Sequence, residues 1–216
     1  MRSIQPQRED GGVATVAASP PLVLASQSPR RVQLLQMLGL EFDVVPAAVD
    51  ETVRPAAAPA EVAEYLAREK ALAVATLRPD AFVIGCDTLV VIDGEILGKP
   101  RDEEDAVRML LRMEGREHRV ETGIAIVAPD GRIESSVEGI VVRFRPFDQR
   151  MAEDYVATGE PMDKAGAYGI QGYGATLVEW INGDFFAVMG LPIARMMSLF
   201  RALGWRYNFQ GFEPLP

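Results

Sequence analysis

The residues best suited to chemistry begin with a short basic turn, whose sequence is Ser26-Gln27-Ser28-Pro29-Arg30-Arg31. The apolar residues 22–25 before it are typical of a strand, and Ser28 followed by Pro29 predicts a capped helix start. The unpaired N–H groups at a helix start favour an anion. Two arginines in the first turn oppose the helix dipole unless an anion is bound, and arginine can hold phosphate oxygens through two parallel bonds. The turn therefore indicates either a phosphate site or a solvated basic turn.

A second candidate is the carboxylate of Asp87, which lies in the apolar run 81–92. A carboxylate in such surroundings is costly unless it is paired, hydrogen-bonded or bound to a metal. Asp50 and Glu51 follow the end of another predicted strand and by themselves resemble a solvated turn. Together with Asp87 they could form an all-oxygen site suited to Mg²⁺ or Mn²⁺.

Two lysines complete this set. Lys70 falls on the apolar side of a predicted helix, where it could either snorkel to water or point at a triphosphate. Lys99 follows a short strand and precedes a helix cap at Asp102, so it is either a surface turn residue or a phosphate contact.

The elements that must position these residues follow from hydrophobic periodicity. Helices are predicted over 28–39, 60–77, 102–114, 148–158 and 192–203, and strands over 22–25, 42–46, 81–92, 95–97, 118–128, 132–145, 175–181 and 184–189. We expect the last two strands to pair across Asn182 and Gly183. The five glycines in residues 159–174 indicate a functional loop. Strands and helices alternate throughout, which predicts an α/β or α+β class with a mixed sheet.

Composition narrows the possible functions. The formal net charge of −9 disfavours nucleic-acid binding, and no apolar run is long enough to span a bilayer. With one cysteine, Cys86, and one histidine, His118, the chain can form neither an internal disulfide nor a Cys/His metal site. We interpret the chain as cytoplasmic. We expect a flexible extension over residues 1–20, one domain over 21–207, and a C-terminal tail over 208–216.

Four stretches taken together closely resemble the Maf family, known also as septum-formation inhibitor proteins and house-cleaning nucleotide pyrophosphatases. They are Leu24-Ala-Ser-Gln-Ser-Pro-Arg-Arg31, Gly85-Cys-Asp-Thr88, Ile96-Leu-Gly-Lys-Pro100 and Gly159-Glu-Pro-Met-Asp-Lys-Ala-Gly-Ala-Tyr-Gly-Ile-Gln-Gly172. The resemblance covers about residues 22–203. It implies a mixed sheet with flanking helices and a cleft between two lobes, similar to the inosine-triphosphate pyrophosphatases. It also implies hydrolysis of a nucleoside triphosphate between the α- and β-phosphates with a divalent cation.

The resemblance further implies a role for each candidate residue. Glu51 and Asp87 would hold Mg²⁺ or Mn²⁺ and activate water, while Lys70 and Lys99 would neutralise the triphosphate. The residues implied to contact the substrate are Ser28, Arg30, Arg31, Thr88, Asp163, Lys164 and Gln171.

The choice of substrate follows from a branch within the family. Arg30, Thr88 and Gln171 resemble the branch that acts on dTTP and UTP, while another branch prefers 7-methyl-GTP.

The resemblance also suggests a homodimer. A nucleotide-binding regulator of cell division without turnover would use the same site and is the alternative to an enzyme. Cys86 stands where the family most often has alanine, which places a thiol beside the candidate catalytic carboxylate.

Overall fold

The computed structural model describes residues 19–50 and 57–216. Within them the strands are β1 (Leu22–Leu24), β2 (Asp43–Val44), β3 (Phe82–Ile92), β4 (Glu95–Leu97), β5 (Glu117–Val127), β6 (Ile133–Phe144), β7 (Val178–Asn182), β8 (Trp205–Tyr207) and β9 (Phe212–Pro214). The helices are α1 (Pro29–Met37), α2 (Pro59–Ala75), α3 (Glu103–Met113), α4 (Gln149–Val156), α5 (Phe185–Val188) and α6 (Ile193–Ala202). This arrangement confirms the α/β class. No helix among these is long and apolar enough to cross a membrane.

One mixed sheet forms the centre of the fold. Its strand order is β2-β1-β3-β5-β6-β7, with β1 parallel to both β2 and β3 and the other pairs antiparallel. Nearly every residue of β3 is buried, because helices cover both of its faces. This burial explains the long, largely apolar run that predicted the strand.

The edge of β3 opposite β5 is interrupted. β1 pairs with residues 82–84 and β4 with residues 90–92, while β5 occupies the other edge from residue 83 to residue 91. Residues 85–89 therefore have no strand on that edge within the described parts of the chain. Successive side chains of a strand point to opposite faces. At this interruption Asp87 therefore points to one face of the sheet, and Cys86 and Thr88 point to the other.

Helix α2 covers the face to which Asp87 points, and two glycines allow its close approach. A Cβ at Gly85 would lie 2.2 Å from the Ala67 carbonyl oxygen, and one at Gly123 would lie 2.1 Å from that of Ala63. No real Cβ tolerates such distances, so the helix backbone rests directly on β3 and β5. The opposite face is covered by α3, α4 and α6 around two larger apolar clusters.

Two predictions about local structure were wrong. The hairpin across Asn182 and Gly183 does not form, because Asp184 accepts a hydrogen bond from the Phe186 N–H at 2.8 Å and starts α5 instead. β7 pairs with β6. Ser28 occupies the capping position of α1, but its side chain makes no capping bond. The cap expected at Asp102 is confirmed, since its carboxylate accepts from the Asp105 N–H at 2.7 Å.

A small hairpin follows α6. β8 pairs antiparallel with β9, so residues 208–216, assigned above to a C-terminal tail, contain a strand. Phe212 is buried and stacks on Phe200 of α6 with ring centroids 3.7 Å apart. This contact ties the end of the chain to the main core.

The close approach of α2 predicts that Gly123→Ala destabilises the fold. The added methyl group would force the helix away from β5, and overpacking of this kind costs about 1–3 kcal/mol or more. Urea unfolding followed by circular dichroism measures the change. Gly98→Ala is the matched control, because a Cβ there meets no atom within 4 Å. Equal unfolding midpoints for the two variants would contradict the contact.

Candidate active site

A cleft of about 670 Å³ opens at the interrupted edge of β3. Its walls come from the start of α1, from α2, from the segment between β4 and α3, from the glycine-rich segment, and from the turn after α5. Most of the predicted site residues line it: Ser28, Arg30, Arg31, Lys70, Asp87, Thr88, Lys99, Asp163 and Lys164. The fold thus brings together residues far apart in sequence.

The cleft concentrates positive charge in an acidic chain. The described side chains that line it include five basic and two acidic ones, while the whole chain carries a net charge of −9. Charges of one sign in a concave site focus the local field. The basic residues are Arg30, Arg31, Lys70, Lys99 and Lys164, and the acidic ones are Asp87 and Asp163. The cleft is therefore suited to a multiply charged anion.

Asp87 and Lys70 form an ion pair at the centre of this cleft. Lys70 Nζ lies 2.6 Å from Asp87 Oδ1, and both side chains are only 11% exposed. This pairing accounts for a carboxylate within an apolar strand, because an unpaired buried charge would be strongly destabilising. It also rules out simple snorkelling, since the ammonium of Lys70 turns inward from α2 to β3. Within the described residues Asp87 Oδ2 accepts no hydrogen bond, so this oxygen is open to another ligand.

Arg31 joins three walls of the cleft. Its Nε donates to the Gly190 carbonyl oxygen at 2.7 Å, one terminal nitrogen donates to Ser26 Oγ at 2.9 Å, and the other donates to Thr88 Oγ1 at 3.2 Å. The sequence analysis placed Ser26 in the basic turn without a role of its own and did not select Gly190, because a serine and a glycine in loops carry no distinctive signal. These bonds fix the guanidinium before any ligand arrives.

Arg30 faces the glycine-rich wall instead. Burial lowers the pKa of its guanidinium, while the charge of Asp163 acts in the opposite direction. Lys164 donates to the Asp163 carboxylate at 2.6 Å and also to the Glu160 carbonyl oxygen. Arg30, Asp163 and Lys164 thus form a charged cluster where α1 meets the glycine-rich segment.

Glu160 shapes that segment, although sequence analysis did not select it. One of its oxygens accepts from the Tyr155 hydroxyl at 2.9 Å and from the Gly174 N–H at 3.0 Å, and the other accepts from the Tyr173 N–H at 2.9 Å. Burial alone would raise the pKa of Glu160, but these donors lower it below its ordinary value. The Tyr155 hydroxyl also accepts from the Gly169 N–H at 3.2 Å. One carboxylate therefore holds both ends of the loop.

A buried histidine supports the same wall. His118 Nε2 lies 2.7 Å from the hydroxyl of Tyr168, which lines the cleft, and His118 is 3% exposed. In the described part of the chain His118 Nδ1 has no hydrogen-bond partner. Burial lowers the pKa of His118 from 6.5 to about 4, so the ring is neutral near pH 7.

Two predicted residues are not brought into this arrangement. Gln171 is exposed and lies outside the cleft lining. Glu51 lies outside the described residues. Among residues 19–50 and 57–216 no three acidic, histidine or cysteine side chains cluster as metal ligands. The donors still suit Mg²⁺ or Mn²⁺, because such ions commonly take one or two carboxylates together with substrate phosphates, and Asp87 offers an oxygen.

The fold and the cleft define an α/β protein with a preorganised site for a polyanionic ligand. The family model described as Maf-like protein matches residues 21–203. The chain therefore belongs to the Maf family.

The chain also matches curated relatives over nearly their whole length. The chain is 48% identical over 182 residues to a dTTP/UTP pyrophosphatase of Aquifex aeolicus. The aligned region covers 84% of this chain and 95% of that protein. It is 49% identical to a dTTP/UTP pyrophosphatase of Symbiobacterium thermophilum over 85% of this chain and 94% of that protein. Among solved structures, the Ham1 protein of Staphylococcus aureus aligns with a TM-score of 0.47 and 17% identity, over 73% of this chain and 79% of that chain.

The buried histidine predicts a specific loss of stability in acid. Between pH 6.5 and about pH 4 the unfolded chain binds a proton at His118 that the folded chain does not bind. Stability therefore falls as the pH falls through this window, by about 3 kcal/mol in all. His118→Gln keeps a side-chain N–H near Tyr168 and does not titrate. Urea unfolding from pH 7 to pH 4 should give a shallower decline for this variant than for the wild type. Parallel curves would show that His118 is protonated equally in both states.

Proposed function

We propose that the protein hydrolyses dTTP and UTP to the monophosphate and pyrophosphate. The observation that carries this proposal is the excess of basic side chains around the Lys70–Asp87 pair in a cleft of nucleotide size. The relatives named dTTP/UTP pyrophosphatase add support, because they match 84% and 85% of the chain at 48% and 49% identity.

The placement of Lys70 and Asp87 supports the roles proposed for the catalytic residues. Lys70 holds Asp87 through Oδ1, so Oδ2 is the oxygen that can accept a proton from an attacking water. Asp87, with Glu51, would hold Mg²⁺ or Mn²⁺. Such an ion polarises a phosphoryl oxygen and neutralises developing charge. The carboxylate is thus oriented by a neighbour on α2.

The remaining basic residues would receive the phosphate chain. Lys99 is exposed in the cleft wall after β4, Arg30 is half-buried at the start of α1, and Lys164 is held by the glycine-rich segment. Charge-assisted hydrogen bonds from such groups are stronger than neutral ones. Ser28, Arg30 and Arg31 would contribute further donors to the phosphates and to the base.

The base would lie against Arg30 and Thr88, with Gln171 as a further predicted contact. A side chain that hydrogen-bonds a base edge rejects bases whose donors and acceptors are reversed. A homodimer and a cytoplasmic location remain part of the proposal. A nucleotide-binding regulator without turnover is the alternative, and release of pyrophosphate separates it from an enzyme.

A nucleotide panel tests the proposed substrates. With Mg²⁺ or Mn²⁺ we expect dTTP and UTP to give the highest kcat/KM for pyrophosphate release, with CTP lower by about 10²-fold because two base contacts are reversed. ATP, GTP and 7-methyl-GTP complete the panel. A highest kcat/KM for CTP or 7-methyl-GTP would refute the assigned specificity. Products other than monophosphate and pyrophosphate would refute the cleavage position.

Replacement of the central carboxylate tests the mechanism. Asp87→Asn should lower kcat by about 10²–10⁴-fold, because the amide cannot accept a proton from water. Circular dichroism should show that the fold is retained. Asp130→Asn is the control, since Asp130 lies in the exposed turn between β5 and β6, outside the cleft. If Asp87→Asn retains more than about a tenth of wild-type kcat, Asp87 is not the base.

A further inference from the structure

A row of hydroxyl groups lies directly behind the cleft wall. Thr122 of β5 is fully buried and stands opposite Thr88 of β3 in the sheet register. Thr122 Oγ1 lies 2.8 Å from the Ala187 carbonyl oxygen and 3.1 Å from Thr88 Oγ1. Thr88 Oγ1 in turn lies 3.2 Å from a terminal nitrogen of Arg31.

The groups at the two ends of this row fix the direction of its hydrogen bonds. A carbonyl oxygen can only accept a hydrogen bond, and a guanidinium can only donate one. The Thr122 hydroxyl therefore donates to Ala187, which leaves its lone pairs to accept from Thr88. The Thr88 hydroxyl donates to Thr122 and accepts from Arg31. No other arrangement places one hydrogen in each of the three contacts.

The turn that follows α5 holds this row of hydrogen bonds in place. The Gly190 N–H donates to the same Ala187 carbonyl at 2.9 Å, and the Gly190 carbonyl accepts from Arg31 Nε at 2.7 Å. Gly190 has a φ of +106°, and a Cβ there would lie 3.3 Å from Thr88 Oγ1. The row of hydrogen bonds thus closes into a ring that leaves Thr88 little freedom to rotate.

This ring determines what Thr88 can offer to a ligand. A threonine hydroxyl has one hydrogen and two lone pairs. The hydrogen is directed to Thr122 and one lone pair receives Arg31, so a single lone pair remains. Thr88 is half-buried and lines the cleft. It can accept a hydrogen bond from a ligand there, but it cannot donate one.

We propose that Thr122 is a positioning residue for base selection, which makes Thr88 an obligate acceptor for the ring N–H of uracil or thymine. The inference rests on the proposed function. Cytosine presents a bare ring nitrogen at the equivalent position, so two acceptors would face each other. The contact separates UTP from CTP. It does not separate UTP from guanine nucleotides, which also carry a ring N–H.

Removal of the Thr122 hydroxyl tests the proposal. In Thr122→Val the Thr88 hydrogen loses its partner and can turn to the cleft, where it can donate to cytosine. The ratio of kcat/KM for UTP to that for CTP should fall on the order of tenfold, mainly through KM. Thr122→Ser keeps the hydroxyl and should restore the wild-type ratio. A fall of equal size for both nucleotides, with an unchanged ratio, would overturn the proposal and leave Thr122 a packing residue.

A second variant keeps the proposal testable if Thr122→Val does not fold. Thr88→Val removes the acceptor from the half-buried cleft wall and should lower kcat/KM for UTP more than for CTP. Retention of the full UTP preference in this variant would also overturn the proposal. Failure of the proposed function has a different signature, because then the wild-type protein itself would release no pyrophosphate from UTP or show no preference over CTP.

Discussion

The interruption in the edge of β3 is the constraint on which the rest of this structure depends. β1 ends at Leu24, opposite Ile84, and β4 ends at Leu97, opposite Val90, so a stretch of the largely buried β3 is left beside a cleft and not beside a neighbour. Because side chains alternate, the same stretch sends Asp87 toward α2 and Thr88 toward the opposite layer. A site that needs a charged group and a base-reading group close together can therefore take both from adjacent residues of one strand.

Each of these residues is held by a different layer. Asp87 is held by Lys70 of α2, and that helix can reach it because Gly85 and Gly123 let its backbone rest on the sheet. Thr88 is held by Thr122 and Arg31 on the other side. The groups at the cleft are thus preorganised by packing before a ligand binds, which reduces the reorganisation that catalysis would otherwise require.

The start of α1 illustrates how charge and hydrogen bonding combine. Two arginines in a first turn oppose the helix dipole. For Arg31 this unfavourable interaction is offset by hydrogen bonds to three protein acceptors. For Arg30 it is offset by the nearby charge of Asp163. The glycine-rich wall that carries Asp163 owes its shape to Glu160, whose carboxylate accepts two backbone N–H groups and the Tyr155 hydroxyl. Glu160, which lies outside the cleft lining, therefore organises the wall from which Lys164 contributes its positive charge to the cleft.

The sequence by itself determined the α/β class, the long central strands, most of the helices, and a set of charged residues that the fold gathers into one cleft. Periodicity, caps and charges within apolar runs are local signals, and they can be recognised in one segment of the sequence without knowledge of what packs against it. What only the tertiary structure decided were the pairings. Asp184 could end a hairpin or start a helix, and in the folded chain its carboxylate accepts from the Phe186 N–H and starts α5. Thr122 is one polar residue in a strand until the β3–β5 register sets it opposite Thr88. Glu160 is one acid in a loop until donors from Tyr155, Tyr173 and Gly174 converge on it. Such contacts depend on strand register and on the folded path of the loops, so no periodicity in the sequence records them.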